Sequence, residues 1–279
     1  MPGASRKLIV WAAAIMLAGP AIAESGGPSQ KEVLARAGRR VLQYQADLPH
    51  LVATETSVQL ATAPCGALLE ASERHLVSEF GWVSAGDSPD LVGVRDVIQV
   101  DGHALRDIDR SRLQMLMHES GAITVDTVTQ LLNEGARFNL AEGSRNFNLP
   151  TVALFFLHPE TQPRFKWSRS SLPEAPTWVM SFKERALPTI IKTGDGEPVF
   201  SKGSVEIETA TGQVRRTELT IHVDKLEYTL TTTFGRVESV NMILPLRLSE
   251  KYVTPSGTIS GEATYDSYRR FETTARLLQ

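Results

Sequence analysis

The chain has a single cysteine, Cys65, in 279 residues, so no disulfide can form within it and packing alone must hold the fold. Neither sign of charge dominates: the formal net charge is -3 and the isoelectric point about 6.1, which gives no basic footprint for nucleic acid. After the first residues no apolar run is long enough to span a bilayer, and residues 151–157 fall far short of the roughly 20 required. Catalytic signatures are missing as well. Gly257-Thr258-Ile259-Ser260-Gly261 has the wrong spacing for a nucleophile elbow, and no lysine has a serine three residues before it. Gly194-Asp195-Gly196 lacks the third glycine and following helix of a dinucleotide loop. The six histidines, at 50, 75, 103, 118, 158 and 222, show no paired ligand spacing. No catalytic residue, metal or cofactor is implied. His158 reads as a polar helix end, and Cys65 as a small buried hydrophobe.

What is present begins with an address. Arg6 and Lys7 precede the apolar run 8–17, and Gly19-Pro20 leads to Ala21-Ile22-Ala23, a small-x-small cleavage pattern. Residues 1–23 therefore read as a signal peptide cut after Ala23, which places the chain in the periplasm or outside the cell. Its removal takes two cations and no carboxylate, shifting the charge from -3 to -5. Residues 24–30 read as a flexible leader and 24–279 as a single α+β domain.

Ser29 with Glu32 forms a capping box, and Val33, Ala37, Val41, Tyr44 and Leu48 carry one buried helical stripe ended by Pro49. From 51 the period falls to two: Val52, Thr54, Thr56, Val58 and Leu60 alternate with Ala53, Glu55, Ser57 and Gln59. Strands follow at 74–84 and 90–100, with an Asp101-Gly102 hairpin turn. Helices are expected over 109–118 and 124–138, and a short apolar helical turn over 150–157. Beyond Pro163 nearly everything reads as strand: 164–170, 178–184, 189–193, 203–209, 213–223, 225–234, 241–253 and 258–271. Leu226, Tyr228, Leu230 and Phe234 share one face, and Met242, Leu244, Leu246 and Leu248 are expected to share another. Turns at Thr211-Gly212 and at Thr254-Pro255-Ser256-Gly257 join consecutive strands into an antiparallel meander. Arg215-Arg216 and Arg269-Arg270 lie in strands, where neighbours face opposite ways, so neither pair makes a basic patch.

The segment 149–160, Leu-Pro-Thr-Val-Ala-Leu-Phe-Phe-Leu-His-Pro-Glu, followed by Gln162-Pro163-Arg164-Phe165, resembles a family of exported bacterial proteins of Acidobacteria type. Val94-Arg95-Asp96-Val97, Val100-Asp101-Gly102 and the stretch 203–214 extend that resemblance over most of the mature chain. It implies export and no activity. More distantly, the hairpin 205–214 resembles the lipoprotein-carrier fold of LolA- and RseB-type periplasmic proteins. The chain departs from these in having Glu206 where an aromatic is common, and in a longer N-terminal half, so no single binding residue carries over.

That resemblance implies a curved antiparallel sheet, an open half-barrel, with three or four helices on its concave side. Phe147, Phe155, Phe156, Phe165, Trp167, Trp178 and Phe182 all fall where the helices give way to the sheet. They either fill a core or line a groove. Leu154, Phe155, Phe156, Trp167, Trp178 and Phe182 are the groove candidates. The expected function is non-catalytic binding of a lipid or other apolar ligand, with a lipid or lipoprotein as partner. The alternative is an envelope interaction or sensing module that holds no small molecule.

Overall fold

In the computed structural model, residues 27–63, 71–84, 91–105, 113, 124–140 and 149–270 are described. The signal peptide, Cys65, His118, Phe147 and all of the helix expected over 109–118 except Leu113 lie outside those residues.

The capping box forms as expected: Glu32 N donates to Ser29 Oγ at 3.3 Å and Ser29 N donates to the Glu32 carboxylate at 2.7 Å. It starts α1 (Gln30–Asp47), whose stripe Val33, Leu34, Ala37 and Val41 is buried. A 3-10 turn at Leu48–His50, containing Pro49, ends the helix and delivers the chain into the sheet. The strands are β1 (Leu51–Thr62), β2 (Ser72–Ser84), β3 (Leu91–Val100) and β4 (His103–Ala104), then α2 (Val125–Ala136). After it come β5 (Phe165–Arg169), β6 (Thr177–Glu184), β7 (Ile191–Lys192), β8 (Pro198–Val199) and β9 (Ser201–Glu208). The last four are β10 (Val214–Val223), β11 (Leu226–Val237), β12 (Met242–Thr254) and β13 (Gly257–Arg270).

Eleven strands form one antiparallel sheet in the order β4-β3-β2-β1-β13-β12-β11-β10-β9-β6-β5, and β7 pairs with β8 apart from it. The ladder is open, with β4 and β5 at its two ends. Two local meanders, β1 to β4 and β9 to β13, are joined by a single non-local pairing. There Leu51 lies opposite Arg270 and Thr62 opposite Thr258.

The helix count is the first correction. Among the described residues there are two α-helices rather than three or four. Residues 150–157 make turns closed mainly three residues apart, as in Leu154 N to Thr151 O at 3.0 Å and Leu157 N to Leu154 O at 3.1 Å, and end in a 3-10 turn at Phe155–Leu157. The stretch between Pro150 and Pro159 is too short to propagate an α-helical ladder.

The second correction concerns β12. Its register against β11 shifts between Thr233 and Phe234, so that Phe234 meets Pro245. The bulge turns Leu246 out to solvent while Leu244 and Leu248 stay buried. The four residues from Met242 to Leu248 therefore do not share a face. On β11 the expected alternation holds: Tyr228, Leu230 and Phe234 are buried, and Thr229, Thr231 and Thr233 are only half-covered.

One face of the sheet is covered along its length, and at β1–β3 the opposite face is covered as well, where Val52, Val83 and Val94 pack with Leu113 and with Val128 and Leu131 of α2. The first face is not uniform. On β6, β9, β10 and β11 it is apolar, with Trp178, Met180, Phe182, Val205, Ile207, Leu219, Ile221, Tyr228 and Leu230 packed against α1 and the 154–157 turn. The hairpin between β9 and β10 locks this arrangement. Gly212, at φ +74°, lies against the backbone of Arg36 and Ala37, and Arg36 Nη1 donates to Thr209 O at 2.6 Å. On β1, β2, β3 and β12 the covered face carries Glu55, Ser57, Gln59, Ser78, Arg95 and Glu250 instead. Along β1 it is the Ala53, Glu55, Ser57 and Gln59 side that faces inward, and Leu60 is exposed.

Candidate functional site

The proposed groove residues separate into three places. Phe156, Trp167 and Phe182 come together around Phe165. Phe156 stacks on Phe165 with centroids 4.9 Å apart, and Phe182 meets Phe156 and Phe165 edge-on at 5.4 and 5.6 Å. These are the offset and T-shaped geometries of a filled aromatic core. Trp178 is 0% exposed, donates from Nε1 to Pro173 O at 3.2 Å, and lies beneath the Arg169 guanidinium at 4.3 Å. Phe155 is half-buried against the same core. Leu154 lines a cavity.

That cavity, of about 300 Å³, opens between α1 and one end of β10, β11 and β12. Buried Val41, Leu154, Val214 and Phe234 make its floor, and half-buried Tyr44, Met242 and Ile243 its walls. Exposed Arg40, Gln43, Arg236 and Asn241 stand at the rim, with half-covered Asp47 and Gln213. The β11–β12 bulge shapes this end of the sheet, and α1 brings Arg40, Val41 and Tyr44 to it on successive turns. Tyr44 is only partly exposed, and its hydroxyl is covered, with no hydrogen-bond partner among the described residues. Burial holds that phenol well above the ordinary tyrosine range. Sequence reasoning reached Val41 and Tyr44 as helix-stripe residues and Phe234 and Met242 as strand residues. It had no signal that they meet, because the meeting depends on the bulge and on how α1 is docked.

A second cavity of about 40 Å³ lies beneath α2 in the polar half, walled by Glu55, Ser57, Gln59, Arg95 and Glu250. It is large enough for ordered water and little else. Arg95 Nε donates to both oxygens of the Glu55 carboxylate, at 2.7 and 2.9 Å, and its guanidinium lies 5.0 Å from the Phe80 ring centre. Burial pulls the Arg95 pKa down more than any single neighbour raises it, but the charge and hydrogen bond of Glu55, with Tyr265 and Glu250 beside it, together outweigh burial and hold the guanidinium charged. Tyr252 Oη donates to the Glu250 carboxylate at 3.1 Å. Gln59 donates to Asn139 Oδ1 and accepts from Leu140 N, both at 2.8 Å, pinning the chain that follows α2. These groups serve one another, so the belt reads as structural.

Arg215 and Arg216 are paired with Glu208 and Glu218, and Arg269 and Arg270 with Glu79 and Asp47, so neither doublet forms a patch. His158 accepts from Glu160 N at 3.2 Å through Nδ1, a turn-end role. Among the described residues no three His, Cys, Asp or Glu side chains gather as a metal site, and no helix is long and apolar enough to cross a membrane.

No family model and no curated protein matches the chain, so the resemblance to the Acidobacteria-type exported family gains no support from either comparison. Among solved structures, a putative outer membrane lipoprotein-sorting protein domain from Vibrio parahaemolyticus is similar at 10% identity and a TM-score of 0.38. The match covers 85% of this chain and 93% of that one. A likeness of that size decides neither ligand nor activity.

Proposed function

We propose that the chain is a non-catalytic binding protein that holds an apolar or lipid-like ligand between α1 and the sheet. The observation that carries this is the cavity of about 300 Å³ with a floor of Val41, Leu154, Val214 and Phe234. Its volume lies at the small end of ligand pockets, which run from about 300 to 1,000 Å³. The floor side chains are themselves buried, so the apolar surface a ligand would meet comes chiefly from the partly buried Tyr44, Met242 and Ile243. In this reading the sheet curves as a half-barrel around α1, residues 1–23 are a cleaved signal, and the protein works in the periplasm or outside the cell on a lipid or lipoprotein. The aromatic cluster of Phe156, Trp167 and Phe182 is then the support behind the site rather than its lining.

The test combines native mass spectrometry of protein purified from its own envelope with uptake of a fluorescent fatty acid. A co-purifying lipid, or saturable uptake, is expected. Met242→Trp places an indole into a half-exposed wall of the cavity and should abolish uptake while leaving the melting temperature within a few degrees. Wild-type protein that carries no lipid and takes none up would return the chain to the interaction-module reading.

A further inference from the structure

We propose that the cavity between α1 and β10–β12 selects single-chain amphiphiles with an anionic head, the tail on the apolar floor and the head at the rim. This rests on the binding function proposed above and specifies its ligand class.

The rim is cationic on a chain that is acidic overall, with a net charge of -3. Arg40 donates from Nε to Thr211 O at 3.3 Å and from Nη1 to Gln43 Oε1 at 3.1 Å. Among the described residues it has no carboxylate partner. Arg236 pairs with Glu238 at 3.0 Å and also donates to Asn241 Oδ1. Asp47, the one carboxylate in the cavity wall among the described residues, is held by Arg270 at 3.4 Å, and Arg270 also contacts Met242 Sδ. Among the described residues, three guanidinium groups thus face two carboxylates around the mouth, an excess of one positive charge.

That excess resides on Arg40, one helical position before the floor residue Val41. A guanidinium keeps its charge at any working pH and presents several donors in a plane, a geometry matched to carboxylate, sulfate or phosphate. A cationic head would be repelled by Arg40, and a neutral one would gain no charge-assisted contact. The volume decides the number of tails. About 300 Å³ suits one chain rather than two.

The experiment is calorimetric titration of the full chain with three amphiphiles of equal tail length, each below its micelle concentration. Laurate carries an anionic head, dodecyltrimethylammonium a cationic one and monolaurin a neutral one. Laurate should bind about tenfold or more tightly than the other two, as one charge-assisted contact allows. The preference should shrink in about 0.5 M salt, where exposed charges are screened. Arg40→Gln, at an exposed position, should bring laurate down to the affinity of monolaurin. Equal affinity for all three, or a laurate preference that survives Arg40→Gln, would overturn the headgroup inference and leave apolar binding standing. No binding of any of the three would overturn both.

Discussion

Trp82 and Thr151 show what one buried hydrogen bond does in this core. Both are about 1% exposed, and Trp82 Nε1 donates to Thr151 Oγ1 at 3.2 Å across 69 residues of sequence. Thr151→Val keeps the shape and removes the acceptor, which leaves an indole N–H buried without a partner. The expected loss is about 1–3 kcal/mol, read from urea unfolding, and an unchanged midpoint would show that water reaches the indole. Nothing in the sequence pairs these two residues. Thr151 reads there as part of a short apolar turn, and its hydroxyl has no local partner to suggest its role. Glu55 and Arg95 were hidden for the same reason: a polar residue in an alternating strand reads as solvent-facing until its partner on another strand is known.

At the scale of elements, the strands were legible because their period of two is carried by the chain itself. Those of the C-terminal half fall within a few residues of where the alternation ends. Faces were less legible. One bulge at Phe234 and Pro245 reassigns Leu246 to solvent, and no local pattern announces it. The docking of α1 on the β9–β10 hairpin is likewise a tertiary event, resting on Gly212. A Cβ there would come within 2.5–2.7 Å of Arg36 and Ala37, on top of the left-handed backbone strain. Gly212→Ala should therefore cost about 2–5 kcal/mol, combining strain with overpacking. Gly196 has a similar φ of +89° but open space around it, so Gly196→Ala should cost only the strain, about 1–2 kcal/mol. Equal losses in chemical denaturation would mean that the helix contact contributes nothing.

For the whole molecule, the buried tyrosines set an alkaline limit. Burial raises the phenols of Tyr44, Tyr228, Tyr265 and Tyr268 well above their ordinary value of 10.0. A raised folded value means the stabilisation is fully present below pH 10 and is lost as the pH climbs from there toward the folded values. Tyrosinate absorbance should stay suppressed above pH 10 and then rise together with the loss of circular dichroism. A gradual rise near pH 10 in a chain that remains folded would show these hydroxyls to be exposed. The joint between β1 and β13 bears on how such a molecule is assembled. Each meander can zip up from near neighbours, but the seam between Leu51 and Arg270 must close a loop of more than two hundred residues. Until β13 is in hand, β1 and β12 each present an unpaired edge. β13 is thus the keystone, and a chain without it is two ladders open to proteolysis and to pairing with its neighbours.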